Sequence, residues 1–446
     1  MSLERFLINF CSNLSPYAVM RNYDSLPQSA NGSDIDIFLG EGDEASCDVA
    51  LRNALAYVGG FILGDARTTG FRKIVVMGRD NDKGGAWWGI RLDLSFGFRF
   101  LGSVRLVSDD DLLNVAIKHN DISVLPPNWA DLMGLLKHVL NHEDLPQRYL
   151  TGAIQLIQGN KEELESVFAP MDKSTYERFL QLCLQGATLS PAVAVCEIRT
   201  LRRLILRHGL YDNPLHYILG RIGFFGSKLN RIFHSPGIVV SVLGTDGAGK
   251  STIIEAIRPV LEEATHTSLQ VRHLRPNFLP PLSRLKLGDS SPNIGPVTDP
   301  HASRPSGRVG SIVRLLWLWA DYILGYWLIV RPRISRAPVV FIFDRYADDL
   351  ALDPHRFRLG VFKGLARRVP LLVPRPDVTI ALYAEPEAIH ARKPELPLEE
   401  VARQIEELKA WAEKRPEAVL VSTSGSIEAA RDAVLSAIVT TAARRS

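Results

Sequence analysis

Short apolar runs separated by turns mark the first hundred or so residues, and each run predicts a strand: Tyr17–Met20, Ile35–Leu39, Lys73–Met77 and Ile90–Leu94. Between them Cys47–Leu63 has helical spacing, so residues 1–108 predict a small α+β domain. From Asp109 the period changes. Apolar positions recur every three or four residues, as in Trp129–Leu140 and Lys161–Phe168, and predict a helical domain over 109–196. A basic helical connector follows at 197–235. After Pro236 strands and helices alternate: Ile238–Leu243, Leu269–Leu274, Val339–Phe343, Val378–Leu382 and Ala418–Val421 as strands, with helices at Lys250–Leu261, Arg314–Val330, Phe357–Arg368, Glu399–Lys414 and Ile427–Ala442. That alternation predicts an α/β domain over 236–446, a parallel sheet flanked by helices. Lys286–Gly310, rich in Pro, Ser and Gly, reads as a long loop.

Composition narrows this picture little. The chain has 446 residues, 46% hydrophobic and 23% charged, as expected of a folded soluble protein. With 52 Lys or Arg against 49 Asp or Glu the net charge is +3, which argues against bulk nucleic-acid binding. Cys11, Cys47, Cys183 and Cys196 lack metal-ligand spacing and fit reduced thiols in a cytoplasmic protein. The opening MSLERFLINFCSNLSPYAVM lacks the basic start and long apolar core of a secretory signal. Val309–Val330 is long enough to span a bilayer, but Arg314 and Asp321 inside it favour a helix buried in a globular domain.

Two patterns carry chemistry. The first is Gly244-Thr245-Asp246-Gly247-Ala248-Gly249-Lys250-Ser251, followed by Thr252, which fits GxxxxGK[ST] between an apolar strand and a helix. Its glycines let backbone N–H groups curl around phosphate oxygens at a helix N-terminus. Lys250 is expected to bridge the β- and γ-phosphates of ATP, and Ser251 to ligate Mg²⁺. The strand Val339–Phe343 then ends in Asp344-Arg345-Tyr346. The C-terminal ends of parallel strands gather at the ligand crevice, which puts Asp344 and Arg345 opposite the loop. There Asp344 can hold Mg²⁺ or orient the attacking oxygen, and Arg345 can clamp the acceptor.

These residues resemble the thymidylate kinase family of nucleoside monophosphate kinases. The resemblance rests on the GTDGAGKST loop with Asp246 inside it, the LLWLWAD helix Leu315–Asp321, the strand ending in Asp344-Arg345-Tyr346, and RPDVTIALYAEPEAIHARK from Arg375 to Lys393. It covers roughly 205 residues from Pro236. It implies acceptor contacts from Asp246, Arg345 and Tyr346, and a lid in which Arg392 and Lys393, assisted by Arg403, close over the phosphates. Where the family carries Arg-Glu-Pro this chain has Arg272-His-Leu-Arg-Pro276. Where it carries Ala-Asp-Arg this chain has Ala320-Asp321-Tyr322, and Asp344-Arg345-Tyr346 is followed by ADDLALDPHRFR, Ala347–Arg358. These departures look closer to thymidylate-kinase-like proteins of bacterial surface polysaccharide synthesis, which implies a sugar or sugar-phosphate acceptor. A true nucleoside monophosphate kinase and a non-catalytic ATP-dependent scaffold are the alternatives.

The second pattern is Gly32-Ser33-Asp34-Ile35-Asp36, with Asp93 on another apolar strand. Alternation puts Asp34 and Asp36 on one strand face, and three carboxylates on adjacent strands can hold two Mg²⁺ ions. This resembles the nucleotidyltransferase superfamily over about residues 15–100, with Gly32 and Ser33 against the phosphates of a second nucleotide. An active enzyme, a substrate-binding relic and a chance match are the three readings. Trp87-Trp88 beside Gly84-Gly85 reads either as a sugar-stacking platform or as packing.

The connector Glu197–His234 carries Arg199, Arg202, Arg203, Arg207, Arg221, Lys228 and Arg231 against Glu197 and Asp212. Arg199, Arg202, Arg203 and Arg207 recur there at helical spacing among leucines and isoleucines, and either lie on an anionic membrane surface or pair with neighbouring acids. The expected partners are a small-molecule or glycan acceptor, the inner face of a membrane touched peripherally, and a second copy of the chain. Nucleic acid is not expected.

Overall fold

The computed structural model describes residues 2–14, 16–80, 84–266, 269–280, 308–353, 357, 363–394 and 397–445. The chain divides into two compact units, Met1–Phe61 with Asp65–Arg231, and Ile62–Gly64 with Ile232–Ser446.

In the first unit α1 (Ser2–Ser12) leads into β1 (Tyr17–Val19) and β2 (Ile35–Leu39), followed by α2 (Glu44–Val58). The helix expected over Cys47–Leu63 stops earlier, because Gly59 takes the left-handed C-cap conformation at φ 63°. Leu63 instead belongs to β3 (Phe61–Thr68), which sequence pattern did not reveal. Then come β4 (Phe71–Asp80), β5 (Ala86–Phe96) and the small ribbon β6 (Arg99–Phe100) with β7 (Val104–Arg105). After α3 (Asp109–Asn114), two short strands interrupt the stretch expected to be helical: β8 (Ile117–His119) and β9 (Ile122–Val124). They complete a seven-stranded sheet in the order β3-β4-β5-β2-β1-β9-β8. At three residues each, they are too short to show a period. Helices α4 (Pro127–Asn141), α5 (Gln147–Gly159), α6 (Lys161–Val167), α7 (Lys173–Gln185) and α8 (Pro191–Asp212) then enclose a core built on Leu132, Leu135, Leu136, Phe179 and Ile198. Trp88 lies in β5, tilted against Phe6 at 5.7 Å and almost fully buried, so this indole packs the core and is no sugar platform. The connector breaks at Asn213-Pro214, because proline cannot continue the donor ladder, and resumes as α9 (Pro214–Phe233).

In the second unit β10 (Ile238–Gly244) runs into α10 (Lys250–Thr265), followed by β11 (Leu269–His273). Most of the predicted loop Lys286–Gly310 lies outside the described residues, and its last three residues, 308–310, begin α11 (Arg308–Gly325). A π-helical segment, Tyr326–Val330, joins α11 to α12 (Arg331–Arg336). Among the described residues, Arg308–Arg336 is the one helical run long and apolar enough to cross a membrane. It is buried on one face only: Leu315, Leu318, Asp321 and Tyr322 pack inward, while Val309, Leu316, Trp327 and Leu328 are exposed. Asp321, inside the apolar run, is fully buried, accepting from the Leu279 amide at 2.5 Å and from Arg275 at 3.3 Å.

Strand β12 (Val340–Asp344) and the turn α13 (Asp349–Leu352) follow. In place of the helix predicted over Phe357–Arg368 stand α14 (Lys363–Ala366) and a 3₁₀ turn, Val369–Leu372, while residues 358–362 lie outside the described set. The chain closes with β13 (Val378–Tyr383), α15 (Pro386–Arg392), α16 (Leu398–Glu413), β14 (Ala418–Ser422) and α17 (Ile427–Ala443). The sheet is wholly parallel in the order β11-β12-β10-β13-β14.

Candidate active site

The order of the second sheet puts β10, the first strand in sequence, at its centre, with β12 and β13 on either side. The loop after β10 and the turn after β12 therefore open at the same C-terminal edge. In the loop Gly244, Gly247 and Gly249 have φ of 156°, 87° and 83°, and the latter two need glycine. A Cβ on Gly249 would meet nothing, since that position faces open space above the first turn of α10. Successive N–H groups can converge there on an anion.

Lys250 turns back into this loop. Its ammonium donates to the carbonyls of Gly244 at 3.0 Å and Thr245 at 2.8 Å, and lies 3.7 Å from Asp246. Burial, with the Arg345 guanidinium beside it, pulls its pKa down to about 7 despite Asp246, Asp349 and Asp344. Ser251 and Thr252 start α10 with exposed side chains, and Ala248 is buried beneath the loop.

Asp344 ends β12 in direct register with His273 of β11, and its Oδ2 meets His273 Nδ1 at 3.0 Å. Among the described residues its Oδ1 is buried without a hydrogen-bond partner. Burial pushes this carboxyl up, but the bond and charge of His273, with Lys250 and Arg345 nearby, hold it below the usual carboxylate range. Arg345 sits at φ 71°, unusual for a non-glycine residue, with its N–H on the Val242 carbonyl at 3.0 Å. That bend turns its guanidinium inward to both oxygens of Asp349 at 3.1 Å, and to Asp246. A cleft opens beside it, lined on its polar side by Asp246, Arg345, Asp349, Asp353, Gln404 and Glu407.

The structure places two of the expected residues elsewhere. Tyr346 is core: it is 1% exposed, packs on Phe343 and Tyr322, and donates its hydroxyl to the Pro374 carbonyl at 2.8 Å. With its polar end satisfied inside, it does not face an acceptor. Arg392 ends α15 and donates to the Thr423 carbonyl at 3.3 Å, while Thr423 Oγ1 donates to the Ala248 carbonyl at 3.1 Å. Arg392 thus braces the loop from behind. Its neighbour Lys393 comes closer, since a Cβ on Gly247 would lie 3.3 Å from that of Lys393. Arg403 is spent on Glu400 and Glu407.

In the first unit Asp34, Asp36 and Asp93 do come together, with carboxylate oxygens within 4.8 Å of one another. Asp36 and Asp93 are direct partners across parallel β2 and β5. Gly32 and Ser33 form the turn just before β2. Three carboxylates are a fitting donor set for Mg²⁺, but the surrounding charge is not. Arg91 binds Asp34 at 2.5 Å and Asp93 at 3.1 Å, and Lys73 binds Asp93 at 3.0 Å. Lys137 binds Asp36 at 2.5 Å, and Arg21 reaches both Asp36 and Asp34. Four cations therefore face three carboxylates, leaving no excess negative charge for a dication.

A parallel sheet in this order, with a phosphate loop between its central strand and the following helix, defines the C-terminal unit as a P-loop kinase fold. No protein-family model and no curated protein matches the chain. Among solved structures it is similar to thymidylate kinase from Ehrlichia chaffeensis, at 16% identity and TM-score 0.30 over 45% of this chain and 98% of that one. It is likewise similar to thymidylate kinase from Candida albicans, at 18% identity and TM-score 0.33 over 46% of this chain and 92% of that one.

Proposed function

We propose that the C-terminal unit is an ATP-dependent phosphotransferase that moves the γ-phosphoryl group to a hydroxyl of a sugar. The observation that carries this reading is the buried Lys250 ammonium beside a loop open to phosphates, with Asp344 Oδ1 unpartnered among the described residues. The loop amides grip the triphosphate, and Lys250 leaves the Gly244 and Thr245 carbonyls to pair with its β- and γ-oxygens. Ser251 and Asp344 would hold Mg²⁺, which supplies charge neutralisation on the phosphates when bound. Asp344 Oδ1 orients the acceptor hydroxyl and takes its proton, which passes on to solvent, as the hydroxyl oxygen bonds to the γ-phosphorus, the bond from that phosphorus to the β,γ-bridging oxygen breaks and ADP leaves. Arg345, fixed by Asp246 and Asp349, anchors the acceptor side.

The choice of a sugar over a phosphorylated acceptor is supported by the cleft. Asp246, Asp349, Asp353 and Glu407 outnumber Arg345 and the Arg403 that Glu407 also holds. Hydroxyls donate to carboxylates, whereas a phosphate dianion about 6 Å from the two excess negative charges is opposed by several kcal/mol, on the order of 5 per charge at an effective dielectric constant of about 20. The test is ADP release with Mg²⁺–ATP against free sugars, sugar phosphates, dTMP and other nucleoside monophosphates, with Lys250→Ala as the blank. Turnover with a free sugar is expected. Turnover with dTMP alone would show that the acidic lining has been misread, and ATP binding without stimulation by any acceptor would favour a scaffold. For the N-terminal unit we infer an ion-pair core in place of a two-metal centre, because its three acids are already neutralised.

A further inference from the structure

Helix α9 is twenty residues long and none of them is buried. Leu215, Ile218, Leu219, Ile222, Phe225 and Leu229 are between 49% and 68% exposed. At 3.6 residues per turn these six fall within an arc of roughly 120°. The other side is held to the protein: Gly220 lies where a Cβ would come within 2.5 Å of the Gly102 carbonyl, and His216 meets Arg99 at 2.7 Å. The helix is thus fixed on its polar side with its apolar stripe turned outward, the reverse of a core helix.

Charge decides what covers the stripe. Helix α9 carries Arg221 and Lys228 toward one margin of this stripe, with Arg231 on the opposite side, and no acid. Arg221 stacks over the Phe225 ring at 5.0 Å and Lys228 over the Phe224 ring at 4.2 Å. Burial and the neighbouring Arg231 and Arg221 hold the Lys228 pKa below its ordinary value, so an anion placed here relieves mutual repulsion. A second copy of the chain meeting this stripe about a two-fold axis would bring these cations against each other. An anionic bilayer meets both needs, with acyl chains for the stripe and headgroups for the cations.

We propose that α9 is an interfacial helix that docks the protein on an anionic lipid surface. The expected membrane contact therefore moves from α8 to α9. The aliphatic side of α8, Ile198, Leu201 and Ile205, is buried, and its Arg199 and Arg202 are paired with Glu143. The inference is independent of the kinase reading.

The test uses the full chain and flotation with phosphatidylcholine vesicles, with and without about one-third phosphatidylglycerol. Binding to the anionic vesicles is expected, with little to phosphatidylcholine alone. Ile222→Asp with Phe225→Asp should reduce the partition coefficient at least about tenfold, and Lys228→Glu at least about fivefold. Should the double variant fold poorly, an environment-sensitive dye at Phe225→Cys in a Cys196→Ser background gives a direct readout; the other three cysteines are buried. A blue shift on adding anionic vesicles supports the proposal. Three results would overturn it: no binding by the unaltered protein, binding that survives the double variant, or a dimer that the double variant converts to monomer.

Discussion

Lys250 shows what one buried side chain does to the behaviour of the site. Its pKa of about 7 in the nucleotide-free protein leaves it part neutral at physiological pH. Phosphate oxygens favour the ammonium, so the bound pKa rises. Between the free and bound values the complex holds more protons than the free protein. Nucleotide affinity should therefore be highest below about pH 7 and fall as pH rises above it. Titration calorimetry in buffers of different ionisation enthalpy should show proton uptake on ATP binding at pH 8, and Lys250→Met should abolish it. Uptake unchanged in Lys250→Met would assign the proton to another group. The place of Lys250 against the loop was legible because motif spacing alone specifies it. That Arg345 faces the loop was legible from its place at the end of a parallel strand, while its pairing with Asp349 was not. His273 was not: it reaches Asp344 only because β11 and β12 are neighbours in register, which no local pattern encodes. Tyr346 misled because its place beside Asp344 and Arg345 suggested function, while its hydroxyl has an internal acceptor.

At the scale of elements, long periodic helices and apolar strands announced themselves, and punctuation did not. Gly59 ends α2 and Asn213-Pro214 divides α8 from α9, both signals present in the chain but overridden by apolar residues that continue past them. The division matters, since it leaves the core-facing Ile198, Leu201 and Ile205 with the acid-paired arginines on one helix and the outward apolar stripe on the next. Caps were equally readable in principle. Ser426 precedes α17 and its hydroxyl accepts from the Ala429 amide at 3.1 Å. Val434, Leu435, Ile438 and Val439 of that helix are buried. Ser426→Ala should lower the stability of the C-terminal unit by about 1 kcal/mol, read as a shift in its urea midpoint without a change in slope. No shift would mean that packing alone fixes the start of α17.

For the molecule as a whole, the two patterns found in the sequence fall in different compact units, and each can be perturbed alone. ATP with Mg²⁺ at a hundred times its Kd should stabilise its unit by about 2.7 kcal/mol and leave the other unmoved. Asp36 is fully buried between Arg21 and Lys137, whose side chains are 32% and 26% exposed. Removing a buried partner costs about 3–5 kcal/mol, and solvent screening at these cations reduces that to roughly 2–3 kcal/mol. Scanning calorimetry should accordingly show two transitions, one raised by Mg²⁺–ATP and the other lowered by Asp36→Asn, with ADP release by that variant unchanged. A single transition moved by both would mean that the units unfold as one. Mg²⁺ without nucleotide offers the sharper discrimination. If the triad is an ion-pair core, the ion shifts nothing in the N-terminal unit, because binding there must displace Arg91 and Lys137. If it raises that transition, and Asp36→Asn removes the rise, the carboxylates exchange their cations for metal, and the two-metal reading of Asp34, Asp36 and Asp93 is restored.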